Sequence, residues 1–185
     1  MNNMPLIFEN AVLNRYSSII KDYIDGHQDD FGELDGSYWG GRTIHIPKIK
    51  NINVVNILKE YKYELIKNYY SLSEDSKPIY IDSLHLVRWP IGYELKPHAD
   101  AENPDGAPHP FPWRNFGTVG FLNDDFEGGE LYLPNKNIVI KSKIGYSVIF
   151  PGTLEYLHGV KPIISGTRYT IASFLTYDQS HEYKF

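Results

Sequence analysis

His98-Ala99-Asp100 sets an imidazole and a carboxylate two residues apart. On an extended strand, side chains at i and i+2 share a face, so the two could address one spot. Joined by a second imidazole, they would form a two-histidine, one-carboxylate set on one side of a metal ion. Such a set leaves coordination positions open and suits non-haem Fe(II) that binds oxygen and a substrate. The bland alternative is a polar pair at a strand end, because H-x-D alone is a short pattern that arises often by chance.

A third ligand would come from far along the chain. His158, in Leu157-His158-Gly159-Val160, is the candidate; read otherwise, it is a hydrogen-bonded strand histidine. Arg168 follows, with Ile171 and Phe174 close behind it. An arginine in so apolar a strand is costly to bury without a partner. Its planar fork of donors suits a two-point contact with a carboxylate, either of a ligand or of an Asp or Glu of the chain. His109 stands between Pro108 and Pro110, which favours a surface position over ligation.

The elements that must position these residues can be read from periodicity. The length of 185 residues fits a single domain, 1–185, with a substantial core. Residues 8–24 carry Val12, Ile19, Ile20 and Tyr23 at near-helical spacing, which predicts a helix ending by Asp25-Gly26. Residues 25–43 are rich in Gly and Asp and read as a loop. In it, Trp39 and Arg42 are either an anchoring side chain and a solvated one, or part of a substrate-facing surface. A second helix is expected over 53–70, with Val54, Ile57, Leu58, Tyr61, Leu65 and Tyr69 as its core stripe.

After Pro78 the texture becomes that of strands. They are expected over 79–89, 93–100, 115–122, 130–133, 138–141, 146–150, 156–160 and 168–177, separated by Gly, Pro and Asn turns. The proline-rich stretch 101–113 reads as a loop directly after the proposed ligands. This order predicts a mainly β fold. Two helices, in an N-terminal part spanning 1–75, pack outside a double-stranded β-helix (jelly-roll) core over about 79–178.

Composition excludes several classes. The chain has no cysteine, so disulfides, thiolate metal sites and a cysteine nucleophile are absent. The net charge of −5 argues against a broad nucleic-acid or membrane-binding face. The opening residues lack the basic and apolar regions of a secretory signal, and no apolar run approaches the roughly 18 residues of a membrane span. A cytoplasmic location is the expectation.

Five segments, taken together, are more specific than any one of them. They are R-W-P-I-G-Y-E-L-K-P-H-A-D (88–100), R-N-F-G-T-V-G-F-L-N-D-D-F-E-G-G-E-L-Y-L-P (114–134), I-G-Y-S-V-I-F-P (144–151), H-G-V-K-P (158–162) and G-T-R-Y (166–169). In this order they resemble the 2-oxoglutarate- and Fe(II)-dependent dioxygenases, and within them the prolyl 4-hydroxylase-like group. The resemblance implies that His98, Asp100 and His158 hold Fe(II), and that Arg168 pairs with the distal carboxylate of 2-oxoglutarate. It further implies Trp89, Thr118, Leu131, Val160 and Phe174 as cofactor-pocket positions, O2 as oxidant, and ascorbate as reductant. Trp39, Arg42, Tyr93 and Arg114 are the groove-forming candidates for substrate.

The sequence also departs from the pattern. Many relatives carry Tyr at the places held here by Trp89 and Leu95, and an aromatic where this chain has Gly120. The implied reaction hydroxylates an unactivated C–H, with succinate and CO2 as co-products. A prolyl residue in a peptide is the first expectation for substrate, with a free amino acid or small metabolite as the alternative. A hydrolase using the same ligands, or a jelly-roll binding module without turnover, stands as a further alternative, and the hydrolase gives Arg168 no role.

Overall fold

In a computed structural model, the chain is described over residues 4–32 and 42–185. The strands, in chain order, are β1 (Leu6–Glu9), β2 (Thr43–His45), β3 (Tyr80–Trp89), β4 (Leu95–His98), β5 (Phe116–Phe121) and β6 (Glu127–Gly128), followed by β7 (Leu131–Leu133), β8 (Ile138–Ile140), β9 (Tyr146–Pro151), β10 (His158–Val160), β11 (Ile163–Ser165) and β12 (Arg168–Thr176). Two α-helices precede most of them, α1 (Ala11–Gly26) and α2 (Ile52–Leu72).

Strands of one sheet run β1-β9-β5-β12-β3-β2, and those of a second run β4-β10-β7-β8. All pairings are antiparallel. The two sheets face each other as the expected jelly roll, and β11 pairs with β6 at one end.

Both helices lie on the outer face of the larger sheet. Their apolar stripes, including Leu13, Ile20, Ile24, Leu58, Tyr61 and Leu65, close on Ile81, Leu84, Leu86, Ile171 and Leu175 of β3 and β12. The inner faces form two smaller clusters. One holds Val87, Trp89, Leu95, Val160, Ile163 and Ala172. The other holds Phe121, Leu131, Leu133, Ile140, Val148 and Phe150. Each large side chain fully buried in this way contributes about 1.5–3 kcal/mol relative to exposure.

The observed elements differ from the expected ones at their ends. The first helix starts at Ala11, not at residue 8. Phe8 has the phase of a helix face, but it lies in β1, whose backbone pairs with β9 from Leu6↔Ile149 to Glu9↔Tyr146. Asn10 then caps the helix, its side chain accepting from the N–H groups of Val12 and Leu13 at 3.1 and 3.2 Å. The strand expected over 93–100 is shorter, so Asp100 lies beyond its end. The 156–160 strand begins only at His158, after a 3-10 turn over Leu154–Tyr156. Strands β2, β6 and β11 fall where loops or turns were expected. Trp39 lies outside the described residues.

Candidate active site

Between the two sheets lies a cavity that opens to solvent, lined at one end by His98, Asp100 and His158 and at the other by Arg168. His98 ends β4 and His158 begins β10; the two are direct cross-strand partners. Asp100 is placed by its own backbone and that of Ala101, whose N–H groups both donate to Gly152 O at 3.0 Å. Although it has left the strand, Asp100 Oδ1 stands 3.6 Å from His98 Nε2 and 3.6 Å from His158 Nε2. One ligand atom from each residue lies within 4.8 Å of the other two.

The two imidazoles are oriented by their own chain. His98 Nδ1 lies 3.1 Å from Lys96 O, and His158 Nδ1 lies 3.3 Å from Tyr156 O. A carbonyl oxygen only accepts, so each Nδ1 carries a proton and each Nε2 is left facing Asp100. Burial opposes charge on His98, and the adjacent Asp100 carboxylate outweighs it, raising the His98 pKa. Burial dominates at His158 and lowers its pKa to about 4. Burial works to raise the pKa of Asp100, yet His158 and His98 hold that carboxyl below its usual range. Asp100 Oδ2 is buried with no hydrogen-bond partner. Two Nε2 atoms turned toward an ionised, incompletely partnered carboxylate make a donor set that fits a divalent ion such as Fe(II), which binds the deprotonated nitrogens.

Arg168 begins β12 and is 1% exposed. Its Nε and Nη2 are buried without a hydrogen-bond partner. Burial draws its pKa down to about 9, and among the described residues no carboxylate opposes the effect. Of the two readings of Arg168, pairing with an Asp or Glu is not found among the described residues. Its guanidinium lies between rings, 5.3 Å from the Trp89 centroid and 5.6 Å from that of Phe121. A buried cation with idle donors in a cavity is a receptor for an anion.

Residues expected to act together fall at two ends of the cavity. At the Arg168 end, Trp89 is the cross-strand partner of Arg168, and its Nε1–H donates to Thr170 Oγ1 at 3.1 Å. Arg42, buried rather than solvated, stacks over Trp89 at 5.2 Å and over Tyr93 at 4.3 Å. At the other end of β12, Arg114 lies 3.8 Å over Phe174 and 3.8 Å over Phe111 of the proline-rich loop. It is tethered by a 2.9 Å bond from its Nε to Asp82 Oδ2. Arg42 and Tyr93 thus stand behind the Arg168 pocket, about 20 Å along the strand from Phe174 and Arg114. Leu131 and Val160 line the cavity from the smaller sheet. His109 is not among the clustered ligands; its Nδ1 accepts from Phe111 N at 3.1 Å.

Thr118 lines the cavity, but its hydroxyl turns toward the helices, as does the open face of Gly120. Thr118 Oγ1 is 2.5 Å from Ser173 Oγ, on the side of the sheet that meets the helices. A Cβ on Gly120 would meet Tyr61 Oη at 2.8 Å and Leu13 Cδ1 at 2.9 Å, so its lack of a side chain admits α2 and does not widen the cavity. The neighbouring Gly117 and Val119, like Phe121, look inward.

Gly117, Thr170 and Phe150 escaped sequence reasoning. A Cβ on Gly117 would lie 2.4 Å from Asp100 Oδ2 and 2.6 Å from Phe150 Cε2. That glycine lets the carboxylate rest on the sheet. Its only sequence signal is its place in the Arg114–Thr118 segment. Phe150 packs on the His158 ring at 4.3 Å.

A family model described as the 2OG-Fe(II) oxygenase superfamily matches residues 84–176. Prolyl 3-hydroxylase 1 of Homo sapiens is 28% identical over 113 residues, covering 58% of this chain and 14% of that protein. The Mus musculus counterpart is 27% identical in an alignment covering 96% of this chain and 31% of that protein. The chain thus spans less than a third of these curated relatives. Among solved structures, a viral collagen prolyl hydroxylase from Paramecium Bursaria Chlorella virus-1, in its 2OG complex, has a TM-score of 0.68 at 16% identity, covering 95% of this chain and 96% of that one. A prolyl hydroxylase from Trichoplax adhaerens, in complex with a peptide fragment of the hypoxia inducible factor oxygen degradation domain, has a TM-score of 0.70 at 17% identity, covering 97% and 86%. Among the described residues, no helix is long and apolar enough to cross a membrane.

Proposed function

The chain belongs to the 2OG-Fe(II) oxygenase superfamily, and from that membership we propose that it is a dioxygenase acting on a prolyl residue of a peptide or protein. In this reading His98, Asp100 and His158 hold Fe(II), and Arg168 receives the distal carboxylate of 2-oxoglutarate. When bound, the metal and cosubstrate would supply, with O2, the oxidising power to hydroxylate an unactivated C–H, one oxygen atom going to the substrate and the other to succinate as CO2 is released.

The chain's own contribution is positioning and exclusion. Lys96 O and Tyr156 O fix the tautomer of both imidazoles. Gly117 and Gly152 O seat Asp100. Arg168 offers its donors in an apolar pocket, where a charge-assisted bond is stronger than at a surface. Trp89, Leu131, Val160 and Phe174 keep the cavity largely apolar. Arg114, Phe111 and Phe174 form an aromatic and cationic rim beside the proline-rich loop, and this is where we place the substrate peptide.

The observation that carries this reading is the pairing of two buried deficits across one cavity. Asp100 Oδ2 lacks a donor, and Arg168 Nε and Nη2 lack an acceptor. A prolyl substrate is supported by the named activities of the relatives and fold neighbours. The test is incubation with Fe(II), 2-oxoglutarate, ascorbate and proline-containing peptides, followed by mass spectrometry. The expected result is the gain of one oxygen on proline. Oxygen gained only on free amino acids or small metabolites would overturn the peptide assignment.

A further inference from the structure

Arg168 is the first residue of β12, and its Nε and Nη2 are buried without a hydrogen-bond partner. A buried cation in that state gains by turning out to water, and the ends of elements open at low cost. The direction of the guanidinium is therefore only as fixed as the backbone on either side of it.

One side chain grips that backbone. The β5–β12 ladder reaches Phe121↔Thr170, and Leu122 N–H still donates to Tyr169 O at 3.0 Å. The main chain of β5 then leaves the sheet, and Asn123, 5% exposed, continues the pairing with its amide. Asn123 Oδ1 accepts from Tyr169 N–H at 2.8 Å, and Asn123 Nδ2 donates to Thr167 O at 2.8 Å. The other Nδ2 proton goes to Asp125 Oδ1 at 2.6 Å. Both donors of the amide and its acceptor atom are thus in use. Thr167 and Tyr169 are the residues on either side of Arg168. On the opposite edge, Arg168 pairs with Trp89 of β3.

We propose that Asn123 is a positioning residue for the cosubstrate: by holding the backbone on both sides of Arg168, it keeps the guanidinium turned into the cavity before any anion arrives. This rests on the reading that Arg168 receives the distal carboxylate of 2-oxoglutarate. Asn123 does not line the cavity. It acts through the strand, and it spares the ligand the cost of ordering its own receptor.

The test is binding to the Fe(II)-loaded protein without oxygen. Two ligands are compared: 2-oxoglutarate, and 2-oxopentanoate, which has the same chain length and no distal carboxylate. Asn123→Asp keeps the acceptor for Tyr169 N–H and sets an oxygen against Thr167 O; it weakens 2-oxoglutarate binding about tenfold. Asn123→Ala, which removes all three bonds, weakens it at least as much. Binding of 2-oxopentanoate is unchanged in both. In the Arg168→Ala protein, Asn123→Asp causes no further loss. Adding Asp125→Asn to Asn123→Asp restores a bond between those two positions and leaves Thr167 O without its donor, so the weakness persists. One readout needs no substitution: in the unaltered protein the Tyr169 amide exchanges slowly with solvent before 2-oxoglutarate is added. Equal losses for both acids, recovery in the Asn123/Asp125 double variant, or a Tyr169 amide protected only once 2-oxoglutarate is bound overturns the proposal. If Arg168→Ala leaves 2-oxoglutarate binding intact, the reading of Arg168 itself falls. If Arg168→Ala weakens binding and neither Asn123 variant does, only the positioning role falls.

Discussion

His98 and His158 face each other as direct partners across β4 and β10, their ring centroids 4.3 Å apart. Each ring is turned the same way by a carbonyl two residues earlier in its own strand or turn. The pair is therefore a product of backbone pairing as much as of side-chain choice. Removing either imidazole should remove the ion. For His158→Ala we expect 2-oxoglutarate-dependent succinate formation to fall by more than about a hundredfold, since even changes behind a ligand cost 10–100-fold. Succinate at the unaltered rate in that variant would remove His158 from the ligand set.

Arg168→Ala should separate the two cofactors. Its guanidinium touches no member of the ligand triad, so iron affinity is expected to hold. The requirement for 2-oxoglutarate should rise by about 10–100-fold, the loss of charge-assisted hydrogen bonds. Arg168→Lys should recover only part of this, because an ammonium cannot make the planar two-point contact. Titrating both cofactors into each variant checks the split.

Gly117→Ala tests the seat of Asp100. The added methyl would stand 2.4 Å from Asp100 Oδ2, and overpacking of this kind costs about 1–3 kcal/mol. We expect a lower melting temperature and weaker Fe(II) binding together. Gly120→Ala, on the opposite face against Tyr61 and Leu13, should lower stability through the helix packing while leaving Fe(II) affinity of the folded protein unchanged. Thermal melts and metal titration of the two variants form the comparison.

Asp75 provides a pH-dependent contribution far from the site. Its carboxylate accepts from Tyr177 and, at 2.8 Å, from the Tyr69 hydroxyl. The Tyr177 bond is the main cause holding the Asp75 carboxyl below 3.8. A folded-state value below the unfolded one stabilises the fold above the unfolded value, and that contribution is lost as the pH falls through the folded value. Asp75→Asn should therefore lower stability at neutral pH and flatten the loss seen on acidification below about pH 4. Urea midpoints from pH 7 to pH 3 measure this.

Much of the site was legible because polar residues stand out in apolar strands. His158 stands between Leu157 and Val160, and Arg168 stands shortly before Ile171 and Phe174, so each needs a partner. Which face a residue takes was less legible. Thr118 and Gly117 are adjacent, and their faces are set by the pairing of β5 with β9 and β12. A slip of one position exchanges every side chain between faces, and no single strand reveals that register. Thr170 was invisible for a related reason, since its contact with Trp89 comes from another strand. The early helix start failed because Leu6 and Phe8 suit either period, and only the edge of β9 decides between them.

One strand gathers most of what the cavity uses. On β12 the even-numbered residues Arg168, Thr170, Ala172 and Phe174 look into the cavity. The odd-numbered Tyr169, Ile171 and Leu175 join the helix-side core, and Ser173 meets Thr118. The chain's chemistry is thus carried on the parity of nine residues. Substitutions here can be absorbed one at a time, each at its own local cost. The insertion or deletion of a single residue at the start of this strand would instead exchange the cavity-facing arginine, threonine and phenylalanine for core side chains in one step. For this segment, length is under stricter control than composition.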